Sequence, residues 1–246
     1  MKAALFITCL ADALVPDVAK ATVRLLRRLD VEVEVPLGQT CCGQAQVNTG
    51  YPREAFPLVR NHVSAFEGHQ YIVSPSGSCT ASVRHQHPDV ARLGGDEELA
   101  MAAEAVAART YELSEFLVDI LGVEDVGAYF PHRVTYHPTC HSTRLLKVGD
   151  RPLRLLRKVE GIDLVELGHA ETCCGFGGTF AVKNAAVSAA MLQDKTDEIG
   201  ATGATVCTAG DASCLMHIGG GLSRQGAKAY TLHLAQILAS QRGDAL

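Results

Sequence analysis

The fold class predicted is α/β: two tandem, pseudo-symmetric units with mainly parallel sheets. Three observations predict it. The first is a repeated signature, "TCCGQAQVNTG" at 40–50 and "TCCGFGGTFAVK" at 172–183. The second is the register of its surroundings. "VEVPLGQTCCG" from Val33 resembles "VELGHAETCCG" from Val165, and the matched pairs Cys9/Cys140, Cys41/Cys173, Cys42/Cys174 and Cys79/Cys214 lie 131, 132, 132 and 135 positions apart. A period this long marks a duplicated domain, since solenoid units repeat every ~20–50 residues. The third is the alternation, in each half, of short apolar runs with helical patterns, as βαβ units require. The expected units are 1–125 and 126–246, with the seam near Gly122 to Phe130.

The elements follow in order. "AALFIT" is a short apolar strand leading to Cys9. Over 15–29, Val18, Val23, Leu25, Leu26 and Leu29 recur at helical spacing. "VEVEV" alternates strictly and reads as a strand. A helix over 51–66 starts near Pro52, a residue suited to a first helical turn. "YIVS" is the third strand, and helices over 97–109 and 114–121 close the half. His85 and His87 read as loop. The second half repeats the order: strand "RVTYH", helix "PLRLLRKV", strand "IDLVEL", one long helix "TFAVKNAAVSAAMLQDKTDEI", strand "ATVCT", helix "ASCLMHIGGGLSRQ", strand "KAYTLH" and a final helix.

Composition narrows the function classes. With 246 residues, 47% hydrophobic and 20% charged, the chain is ordinary globular material. Its net charge is -5 and no Lys/Arg block appears, which argues against nucleic acid as a partner. No run approaches the ~20 apolar residues of a transmembrane segment. "MKAALFITCLADALV" outlines an export signal, but Asp12 interrupts it and Lys2 is its single positive charge, so a cytoplasmic location is expected. Nine cysteines are an odd count, and in a reducing compartment they point to metal or redox chemistry, not to a disulfide framework.

Each matched cysteine falls where a strand ends, and open α/β sheets bind ligands outside the carboxyl ends of their strands. Two adjacent cysteines reach one centre only from a turn, because neighbouring side chains on an extended backbone face opposite ways. Three strand ends would thus deliver Cys9, Cys41 with Cys42, and Cys79 to one site, and Cys140, Cys173 with Cys174, and Cys214 to the other. Four thiolates suit an iron–sulfur cluster or a structural zinc ion. The lack of Cys-x2-4-Cys knuckles favours the cluster; a metal-free thiol redox pair is the third reading. Cys207 has no matched partner, falls opposite Ile72 in a strand, and reads as a core cysteine.

Other residues are weighed beside them. "GFGGTF" lacks the third glycine of a dinucleotide fingerprint, so its glycines read as allowing backbone close to a cluster. No nicotinamide or flavin fingerprint is visible. His137 and His141 flank Cys140 and His217 follows Cys214. Each is a candidate to bond a cluster, ligate iron or carry a proton, or is a structural histidine. His141 and His217 are expected to face the strand ends. Lys183 is a candidate to hold a carboxylate or balance cluster charge, or is a solvated lysine.

"CCGQAQVNTGY", "PSGSC", "CHSTR", "CCGFGGTFAVK" and "DASCLMHIGG" together resemble the lactate-utilisation protein A family over nearly the whole chain. These are CCG cysteine-rich iron–sulfur proteins, related to the iron–sulfur component of glycolate oxidase and to the CCG-bearing component of heterodisulfide reductase. The resemblance implies an electron-transfer subunit that acts with two partner subunits in oxidising L-lactate, or a related 2-hydroxy acid, to pyruvate. It implies one cluster per half, of 4Fe-4S type, held by Cys9, Cys41, Cys42, Cys79, Cys140, Cys173, Cys174 and Cys214, with zinc as the replacement where clusters are lost. There is one departure. The full CCG motif closes with Cys-x-x-Cys, whereas Ser76 and Asp211 stand three residues before Cys79 and Cys214. Each is a candidate to complete the metal shell, but reads first as a turn or cap residue. Their presence counts against the alternative of a heterodisulfide-reductase-like thiol/disulfide protein. A zinc-stabilised interaction module is the other alternative.

Overall fold

The computed structural model describes residues 1–244, so the last two positions of the expected second unit lie outside the described residues. The chain divides into units Met1–Phe116 and Leu117–Leu246.

In the first unit, β1 (Lys2–Leu5), β2 (Glu32–Glu34), β3 (Ile72–Ser74) and β4 (Thr110–Glu112) form a sheet of order β2-β1-β3-β4, parallel throughout. In the second, β5 (Arg133–His137), β6 (Asp163–Val165), β7 (Val206–Ala209) and β8 (Tyr230–His233) repeat that order as β6-β5-β7-β8, again all parallel. The strand sequences explain their places. β3 and β7 are buried at every residue, as inner strands of a parallel sheet covered on both faces must be. β2 and β6 carry acidic residues and lie at edges. The second strand of each unit lies to one side of the first and the third to the other. This reversal opens a crevice beyond the strand carboxyl ends.

Helices cover the sheets through apolar stripes. Asp17–Arg28 buries Val18, Ala21, Leu25 and Leu26, and ends on Arg27 and Arg28, which suit the negative end of its dipole. Pro52–Phe66 begins on Pro52 and buries Val59, His62, Val63 and Phe66. The first core gathers Phe6, Val59, Val63, Phe66, Ile72 and Val90 around Cys42, with Cys79 packed against it. The second gathers Leu167, Ile199, Cys207, Ile218 and Leu222 around Cys174 and Cys214. Cys42 and Cys79 in the first unit, and Cys174 and Cys214 in the second, are thus anchored at the core.

Four local readings change. β4 stands in the gap between the helices read over 97–109 and 114–121, because three residues are too few to display a period of two. Gly77–His85 and His87–Leu93 are helices in a stretch given no element, and they take in His85 and His87, which read as loop. Serines and histidines hid their pattern, although Ser76 caps the first and Pro88 opens the second. β1 ends at Leu5, and Cys9 opens a short helix, Cys9–Leu14. The long helix of the second unit is interrupted at Asn184, giving Phe180–Lys183 and Ala185–Ala201.

Candidate metal centres

The elements place the cysteines in two like sets. After β1, Cys9 starts the Cys9–Leu14 helix; after β2 comes the Cys41–Cys42 turn; after β3, Cys79 lies in the first turn of Gly77–His85. After β5 comes Cys140, preceded by Thr139 at φ 56; after β6 the Cys173–Cys174 turn; after β7, Cys214 in the first turn of Ala212–Arg224. Ser76 caps its helix by accepting from the Cys79 N–H at 3.2 Å, and Asp211 holds the matching cap position.

The CCG turn has a definite geometry. Gly43 and Gly175 sit at φ +79 and +89, a region that favours glycine. Each N–H points back to the sulfur two residues earlier, Gly43 N to Cys41 Sγ at 3.5 Å and Gly175 N to Cys173 Sγ at 3.4 Å. The left-handed glycine folds the pair so that both sulfurs serve one site. A Cβ on Gly175 would lie 2.7 Å from the Ser188 carbonyl oxygen, whereas one on Gly43 would lie 3.1 Å from the Ala55 Cβ. Gly175→Ala is therefore expected to be the more damaging change. Left-handed strain alone is about 1–2 kcal/mol, and the contact with backbone adds to it. Urea unfolding and metal content of the variant check this; an unchanged midpoint with full metal loading would contradict the turn geometry.

Polar side chains knit these loops together. Gln39, in the loop after β2, accepts from Ile7 N at 2.7 Å and donates to Leu5 O at 3.2 Å, which holds that loop beside the Cys9 segment. Asn61 donates to Gly38 O at 2.7 Å. Gln44 donates to Ser78 O at 2.8 Å, tying the turn to the Cys79 helix. In the second unit, Lys195 donates to His169 O at 3.0 Å and pairs with Glu198 at 2.6 Å. The Ser188 hydroxyl donates to Gly175 O at 2.8 Å and meets His217 Nε2 at 3.3 Å.

The sulfurs form a chain of contacts in each unit. Cys41 stands beside Cys42 and Cys9, near enough for their thiols to act on it, and Cys42 likewise beside Cys79. Cys173 stands beside Cys140 and Cys174, and Cys174 beside Cys214. The thiols of Cys42 and Cys9 pull the Cys41 pKa far down, and those of Cys140 and Cys174 do the same for Cys173. Cys42, beside Cys41 and Cys79, is pushed well up, as are Cys9, beside Cys41, Cys140, beside Cys173, and Cys174, beside Cys173 and Cys214. Crowded thiols cannot all ionise without a cation, and a thiophilic metal would deprotonate them together. The donor set therefore fits a thiolate-bound metal or iron–sulfur centre in each unit.

The histidines sort differently from expectation. His141 Nδ1 lies 3.6 Å from its neighbour's sulfur, Cys140 Sγ. His217 bonds Ser188 and meets Phe176 edge-on at 5.9 Å. The imidazole that reaches two sulfurs is His137, at the end of β5: its nitrogen and the Cys174 and Cys214 sulfurs all lie within 4.8 Å of one another. Burial lowers its pKa to about 4, so it is neutral near neutral pH. His87, read as loop, is buried at the start of a helix, and its Nε2 lies 2.8 Å from Cys42 O. Pro88 is the signal that could have placed it. Lys183 is exposed at the end of a short helix, and Cys207 is buried within β7.

The comparisons with known proteins agree with this architecture. The family model of the CCG cysteine-rich domain matches residues 3–84 and again 134–219. The lactate utilization protein A of Oceanobacillus iheyensis is 45% identical over 242 residues, 98% of each chain. The protein of that name from Geobacillus kaustophilus is 47% identical over 238 residues, 97% of this chain and 98% of its own. A solved hypothetical protein from Helicobacter pylori shares the fold at a TM-score of 0.67 with 12% identity, covering 100% of this chain, which spans 49% of that one. With two CCG domains in register and near half of its residues shared from end to end, the chain belongs to the lactate utilization protein A family.

Proposed function

We propose that this chain is the iron–sulfur electron-transfer subunit of a multi-protein, cytoplasmic assembly that oxidises L-lactate, or a related 2-hydroxy acid, to pyruvate. The observation that carries the reading is the repeated run of four neighbouring sulfurs beyond the strand ends of each unit, in a chain whose relatives bear the name lactate utilization protein A. Cys9, Cys41, Cys42 and Cys79 would hold one centre, and Cys140, Cys173, Cys174 and Cys214 the other, of 4Fe-4S type.

When bound, such a centre supplies one-electron transfer. The chain's residues do the rest. Cys42, Cys174 and Cys214 are buried and keep water from the inner side of each site, while Cys9, exposed, leaves an outer side open. Gly43 and Gly175 aim N–H groups at sulfur and temper its charge. Among the described residues no helix is long and apolar enough to cross a membrane.

Lactate offers a pair of electrons, so a partner subunit must accept them first. Lactate-dependent dye reduction tests this. The purified chain alone is expected to give none, and the chain with its partner subunits to give turnover. Turnover by the isolated chain would overturn the reading.

A further inference from the structure

The two units share one strand order and one cysteine pattern, so a difference at a matched site position carries information. The ladders set the correspondence. Lys2 pairs with Glu32 as Arg133 pairs with Asp163, and Ala4 pairs with Ile72 as Thr135 pairs with Cys207. Counting along β1 and β5 from these pairs, His137 stands where the first unit has Phe6. Both side chains are buried. Phe6 is satisfied by apolar and ring contacts, edge-on to His62 at 4.7 Å and to Phe66 at 5.6 Å.

His137 is not satisfied in that way. Both of its ring nitrogens are buried and without a hydrogen-bond partner. Buried polar atoms are nearly always paired, and an exception calls for a ligand to complete it. The nitrogen faces Cys174 and Cys214, whose sulfurs lie with it inside 4.8 Å. Donor atoms this close can converge on one metal atom, since metal–sulfur bonds are about 2.3 Å and metal–nitrogen bonds about 2.0–2.1 Å. Among the described residues the first unit has no such histidine–cysteine group.

We propose that His137 would ligate the metal centre of the second unit through an imidazole nitrogen, on the side where Cys174 and Cys214 stand. The second centre is then a mixed sulfur–nitrogen site and the first an all-sulfur site. This rests on the reading that each quartet holds an iron–sulfur centre. Among the differences between the repeats, this exchange would give one chain two chemically distinct centres.

The test uses the full chain produced with isotope-labelled histidine and reconstituted anaerobically with iron and sulfide. Iron and sulfide are counted, and electron–nuclear double resonance reads the nitrogen coupling. A strong coupling from histidine nitrogen is expected in the wild type, lost in His137→Phe and kept in His141→Ala. Full iron loading without strong nitrogen coupling overturns the proposal, as does a coupling that survives His137→Phe or disappears in His141→Ala. If His137→Phe does not fold, the labelled wild type with His141→Ala and His217→Ala decides: coupling kept in both variants is expected, and its loss in either overturns the proposal. A wild type that retains neither iron nor sulfide fails at the earlier step, overturning the iron–sulfur reading and this proposal with it.

Discussion

Serine at Cys42 or at Cys174 is expected to remove one metal centre and to abolish or severely reduce lactate oxidation by the assembly, with the α/β fold largely kept. Each of these cysteines is buried and sits mid-chain in its set, touching a sulfur on either side. Losing it removes the link between the turn and the helix that carries Cys79 or Cys214. A hydroxyl is a harder donor than a thiolate and a poor substitute for soft metals. The cost to the fold is smaller, on the order of 1–3 kcal/mol for a buried hydroxyl left unpaired. Iron per chain, far-ultraviolet circular dichroism and activity of the reassembled complex measure the three parts. Full activity of both variants would defeat the relay and direct attention to Lys183 and His141.

Lys195→Met is expected to be among the most destabilising single changes in the second unit. The Lys195 side chain is fully buried, and its ammonium is held by Glu198 at 2.6 Å and His169 O at 3.0 Å. Glu198 also accepts from His169 N, so the pair clamps both sides of one peptide segment just ahead of Cys173. Breaking a buried pair by removing one partner costs about 3–5 kcal/mol. Glu198 keeps 14% of its side-chain surface, so about 3 kcal/mol, the low end, applies here. Removing both charges, with Lys195→Met and Glu198→Leu together, should recover part of the loss, because no stranded charge remains. Urea unfolding of the metal-free variants checks the order. A single variant within about 0.5 kcal/mol of wild type, the range of an ordinary surface change, would contradict the clamp.

The duplication made much of this legible. Constant cysteine offsets and alternating strand and helix patterns suffice for two parallel α/β units, because a buried parallel strand and an amphipathic helix each leave a plain periodicity. The same offsets put eight cysteines at strand ends, where the structure gathers their sulfurs into two sets. Short or masked features were not legible. β4 has three residues, and the Gly77–His85 helix is built of serine, threonine and histidine that read as loop. His137 is visible in the sequence as a candidate, but ranks there below His141 and His217. Sequence adjacency to a cysteine says little about reach, whereas the strand register aims His137 at Cys174 and Cys214. The signal lies in the repeat, as a histidine exchanged for Phe6.

On the reading proposed above, each cysteine quartet holds an iron–sulfur centre. Anaerobic reconstitution of the chain, followed by iron and sulfide counts and electron paramagnetic resonance of the reduced protein, tests it most directly. The expected result is two centres per chain, each containing sulfide, with one lost in Cys42→Ser and the other in Cys174→Ser. Zinc bound without sulfide at both quartets, or iron content unaffected by either serine, would contradict it.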